Sequence, residues 1–176
     1  MWLTSGAIAY DLHGPAYVGH DDAVDRVTSG ARPVGEDFAF LDAVAQAPWF
    51  ATLARRDRDA LVLKYLRVHV FDAVQSRVTN DETYRAHSVA LRALIARLRS
   101  WAPGAFSLLS RADRAVIREI DSGADSVARL LPLLARRRRY GSPQTLITAN
   151  PFLVAHRQAP LRTFAAGYLV LRRHSG

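Results

Sequence analysis

Residues 53–99, LARRDRDALVLKYLRVHVFDAVQSRVTNDETYRAHSVALRALIARLR, decide the fold. Their apolar positions recur at the three- and four-residue spacing that lines one side of an α-helix. Over the second half, Tyr84, Ser88, Leu91, Ile95 and Leu98 predict one long helix with that stripe in the core. Upstream, DRDALVLKYL opens at Arg55 or Asp57 and sets Leu61, Tyr65 and Val68 on one face, with VFDAVQSRV following. Thr79, Asn80 and Asp81 interrupt the pattern, and Asn80 or Asp81 suits an N-cap because its side-chain oxygen can accept from a first-turn N–H. An all-α helical bundle is expected.

Helical signals continue on both sides. Phe38, Leu41, Val44 and Ala45 mark a short helix closed by Pro48, and PWFATLA starts another with its proline in the first turn. Pro103 and Gly104 end the long helix. Beyond them, Ser110 and Asp113 match a capping box, Val116, Ile117 and Ile120 supply a buried face, and Gly123 is placed to stop that helix. In SVARLLPLLARRRRYG, Val127, Leu130, Leu131 and Leu134 are expected inward, with Pro132 kinking or splitting the helix. Ser142-Pro143 and Asn150-Pro151 each read as an N-cap followed by a first-turn proline, and TFAAGYLVLRR fits helix or strand. Residues 1–35 hold Gly6, Gly14, Pro15, Gly19, Gly30, Pro33 and Gly35 without a helical period. They read as an irregular acidic arm, with a short strand possible at Ala7–Tyr10 or Ala16–Val18. The expected units are therefore the arm (1–35), a first helical unit (36–103) and a second, basic one packed on it (104–176).

Charge separates these parts. The chain of 176 residues has a net charge of +8, and its basic groups are arginines apart from Lys64, which fits either a GC-rich genome or a use for guanidinium chemistry. Residues 1–50 carry seven acids against Arg26 and Arg32, a net of −5, so residues 51–176 carry +13. Such asymmetry points to a body that faces a polyanion. Cysteine is absent, which removes disulfides, thiolate nucleophiles and cysteine-based zinc sites and suits a reducing cytoplasm. No apolar run approaches the roughly 18 residues of a membrane span.

Residues 53–99 also resemble the helix-turn-helix units of sigma-factor region 4 and of phage-type transcription regulators. LARRDRDALVLKYL matches the supporting helix, FDAVQSRV the first motif helix, TND the turn and ETYRAHSVALRALIARLR the recognition helix. Gln75 and Thr79 stand where such motifs usually have a small residue and a glycine. The resemblance implies DNA binding in transcriptional control, with no cofactor and no catalysis, and Asn80, Thr83, Tyr84 and His87 nearest the bases. Residue chemistry fits this in part: Asn can read adenine, and Thr can touch a phosphate or a thymine methyl.

Arg85, Arg92 and Arg99 recur every seven residues and form one slowly drifting stripe. They suit phosphate contact, an ordinary solvated face, or a protein interface. Arg136, Arg137, Arg138 and Arg139 are the densest charge, expected against a phosphate backbone or an acidic partner, or as a helix end whose dipole favours cations. Arg129 flanks that run. The acidic arm offers a cover for the basic surface or a contact for another protein such as RNA polymerase. Two other functions are open: a helical adaptor or phage-type structural protein that binds an acidic partner, and a small enzyme built on His69, Asp72 and His87. His13 and His20-Asp21-Asp22 are a weaker metal candidate.

Overall fold

A computed structural model describes residues 32–124 and 126–174. The expected arm strands and the His13 and His20 candidate lie outside them. The elements are α1 (Val34–Asp37), α2 (Phe40–Gln46), α3 (Pro48–Thr52), α4 (Arg55–Lys64), a π-helical segment (Tyr65–Val70), α5 (Phe71–Arg77), α6 (Asp81–Trp101), α7 (Pro103–Ser107), α8 (Arg111–Asp121), α9 (Val127–Arg137), α10 (Pro143–Leu146), a 3₁₀ turn (Pro151–Leu153) and α11 (Pro160–His174). The protein is all-α among the described residues, with one isolated bridge joining Ser110 to Thr148.

The helices from α4 to α5 run on without a break, so the expected supporting helix and first motif helix are one long rod from Arg55 to Arg77. A three-residue turn at Val78 to Asn80 then reverses the chain into α6. The start of the rod packs against both α6 and α7, the short helix that follows α6, so the rod and α6 form an antiparallel hairpin. Gly104 permits this closeness: a Cβ there would lie 2.5 Å from the Asp59 carboxylate of α4. Asn80 caps α6 by accepting from the Thr83 N–H at 2.8 Å, the bond a first-turn donor needs.

The stripe read in α6 is the stripe observed. Tyr84, Ser88, Leu91, Ile95 and Leu98 are all buried, joined by Leu94. The rod differs. Its buried face is Val62, Leu63, Leu66 and Val70, whereas Leu61 and Tyr65 are half-buried and Val68 is exposed. An α-helical period cannot be carried through the π segment, whose i→i+5 bonds take in an extra residue.

Helices α8 and α9 form a second antiparallel hairpin. Glu119 near the end of α8 pairs with Arg129 near the start of α9 at 3.6 Å, and Asp113 near the start of α8 pairs with Arg137 at the end of α9 at 2.9 Å. The Ser110 and Asp113 capping box is complete, and Gly123 takes a φ of 75° just past the C-cap, the left-handed conformation that glycine adopts without a Cβ clash. Pro132 does not split α9. The carbonyl that its missing N–H would have engaged belongs to Ala128, and both residues are exposed, so water can serve that oxygen. Leu131 is exposed rather than inward, at the edge of the Val127, Leu130 and Leu134 stripe, about 40° from Val127 but about 100° from Leu130.

One apolar core runs through both hairpins, from Val34 in α1 to Leu134 in α9. Helix α1 starts inside what reads as the arm, because Val34 is buried in that core. Arg77 ties α1 to the end of the rod: only 1% exposed, it donates to Asp37 and to the backbone oxygens of Arg32 and Ala73. The segment after α9 is less buried. TFAAGYLVLRR is helical, within α11, which rests on α10 with Leu161, Phe164, Tyr168, Leu169 and Val170 exposed.

Candidate nucleic-acid interface

The residues at the start of α6 serve structure first. Asn80 spends its side-chain oxygen on the cap. Tyr84 is fully buried and packs in the core, so it is not a surface contact as the resemblance implies. Asp81 accepts from the Val127 N–H at 2.8 Å and so caps the start of α9 with the first turn of α6. With Glu82 it puts two carboxylates at the end that a recognition helix presents to DNA. Thr83 and His87 are half-buried.

The arginine stripe of α6 divides along its length. Arg85 is exposed and Arg92 half-buried. Arg99 crosses to α8, where it meets Asp121 at 2.6 Å and stacks 4.8 Å above the Phe106 ring. The run at the end of α9 divides too. Arg137 turns inward, donating to Asp113 and lying 4.1 Å over the Phe71 ring. It is therefore committed to the fold and not free to anchor a surface phosphate. Arg136, Arg138 and Arg139 point outward, and neither they nor Arg85 have a carboxylate partner among the described residues. Arg129 is mostly exposed despite its long contact with Glu119.

A cluster that sequence reading misses lies between α6 and α8. Arg111, Arg114 and Arg118 share a face of α8 at spacings of three and four, a pattern visible in RADRAVIREI but overshadowed there by the buried stripe. Arg114 donates to the Phe106 carbonyl at 3.4 Å. Its pKa is lowered from the ordinary guanidinium value, first by burial and then by the neighbouring charges of Arg118 and Arg99, with Asp121 opposing. Arg114 thus lies near the charges of Arg118 and Arg99, and the Asp121 carboxylate that opposes them is already paired with Arg99. Partial burial strengthens such repulsion relative to water, and an incoming anion would relieve it.

His69 and Asp72 are exposed and His87 is half-buried, with His69 lying against the rings of Phe40 and Tyr65. Among the described residues no three His, Asp or Glu side chains come together as a metal site. No described helix is long and apolar enough to cross a membrane. No protein-family model, curated protein or solved structure matches this chain.

Proposed function

We propose that this protein binds duplex DNA through its arginine surface and acts in transcriptional control. The observation that carries the binding is the grouping of the half-buried Arg114 with the charges of Arg118 and Arg99, of which Arg99 alone has a carboxylate contact, Asp121, among the described residues. Arg85, Arg136, Arg138 and Arg139 add outward charge. A phosphate backbone supplies repeated anions to such a surface, and the contacts neutralise phosphates and release counterions. The reading rests on these arginines and does not require the start of α6 to enter a groove. Thr83 and His87 stay as candidate base contacts, and the role in transcription rests on the resemblance of residues 53–99.

Duplex binding measured across salt tests it. Neutralising four phosphates implies that affinity falls on the order of 10²-fold between 50 and 200 mM salt. Charge reversal at Arg85 and Arg118 together should weaken binding and flatten the slope by about 2 while leaving the melting temperature nearly unchanged. Salt-independent binding, or no binding at low salt, would overturn the proposal.

A second reading, an adaptor for an acidic protein, is favoured by one observation: a phosphate backbone offers nothing to Leu169 and Val170 on α11, both more than half exposed. Stable association with an acidic protein that excludes duplex DNA would favour it.

A further inference from the structure

We propose that the cavity between the π segment, the α8–α9 hairpin and α11 is a binding site for a small aromatic carboxylate. Its volume is about 340 Å³, at the lower end of the roughly 300–1,000 Å³ typical of small-molecule sites. Arg67, Asp113 and Arg137 supply its charged wall, and Leu146, Pro160 and Phe164 an apolar one. This site is independent of the DNA reading, whose arginines line none of it.

Charge in the wall does not balance. Arg137 is matched by Asp113 at 2.9 Å, and Asp113 has its other oxygen on the Ser110 N–H. Among the described residues Arg67 has no carboxylate of its own. Its Nη groups donate to the carbonyls of Leu108 and Gln158, both at 3.1 Å, which hold the side chain in place without cancelling its charge. Arg137 also donates to the Arg67 carbonyl at 3.2 Å, tying the two arginines together. Burial lowers the Arg67 pKa, Asp113 opposes that, and the Arg137 charge adds to it. Two positive groups and one negative one thus leave a single partly desolvated charge, which a monoanion matches and a phosphate dianion overshoots.

The opposite wall selects the body of the ligand. Phe164 comes from α11, and Gly141, at a φ of 81°, lets the chain turn close to that ring: a Cβ would lie 3.6 Å from Phe164. In the proposed complex the aromatic body packs on the Phe164, Leu146 and Pro160 side chains and its carboxylate pairs with Arg67. Arg67 also lies within the π-helical segment, and such segments recur where a helix serves a functional site.

The test titrates the full chain with benzoate, its neutral counterpart benzamide, and inorganic phosphate, by calorimetry or by shifts in amide resonances. Benzoate should bind saturably with a dissociation constant on the order of 1 mM or tighter. Benzamide should bind at least about tenfold more weakly, since it lacks the charge-assisted contact. Phosphate should not compete. Arg67→Met should abolish the preference for benzoate over benzamide. Because Arg67 also holds two carbonyls, Phe164→Ala, on a partly exposed helix, is the second variant and should weaken benzoate binding several-fold with the fold intact. Equal binding of benzamide, no saturable benzoate binding up to about 10 mM, or unchanged affinity in Phe164→Ala would overturn the inference.

Discussion

Helices α6 and α11 both carry an apolar stripe and a set of polar positions, yet they end in opposite environments. In α6 the stripe is covered: Tyr84, Leu91, Ile95 and Leu98 are fully buried between the rod, α1, α7 and α8. In α11, Phe164, Tyr168, Leu169 and Val170 remain between 46% and 58% exposed. Periodicity is a property of the segment itself, but burial depends on what the rest of the chain brings against it. A stripe therefore announces a helix without saying whether its partner belongs to the same molecule.

The sharpest way to break this comparison is to empty the covered stripe. Leu98→Ala should cost about 2–5 kcal/mol in urea unfolding, since a void in a close-packed core is only partly refilled. A loss below about 1 kcal/mol would place α6 outside the core. Next in size is the cap. Asn80→Ala leaves the Thr83 N–H without its acceptor and should cost about 1 kcal/mol, with amide exchange faster in the first turn of α6 than elsewhere. The smallest effect belongs to the uncovered stripe. Leu169→Ser should change stability by no more than about 0.5 kcal/mol, and it should lower the binding of an apolar dye; a larger loss would show that α11 is covered after all.

What could be read beforehand follows the same division. The α6 stripe, the Asn80 cap, the Ser110 and Asp113 box and the Gly123 stop each depend on residues within a few positions of one another. The inward course of Arg137 depends on Asp113 and Phe71, and that of Arg99 on Asp121 and Phe106. Asp113, Phe71 and Asp121 lie more than twenty positions from their arginines, Phe106 lies beyond the end of α6, and a run of arginines carries no sign of which member will turn in. For the same reason Tyr84 could be placed both in a core stripe and near the bases, and only packing decides between them. The cluster on α8 was written in its spacing. Its relation to Arg99 was not, because it arises where two helices meet.

The π segment also sets the angular alignment of the rod. From Val62 through Leu66 and Val70 to Val74, each step is four residues, and all four side chains are buried. In an unbroken α-helix three such steps drift about 120° around the axis, enough to carry Val74 off the face that Val62 occupies. Absorbing one extra residue in the wide turns cancels about 100° of that drift. The segment thus works as a phase corrector. A single-residue deletion between Tyr65 and Val70 would restore a regular helix there and, because eleven α-helical steps also bring Val74 to about 20° from Val62, would leave Val74 and Arg77 facing the partners that now hold them.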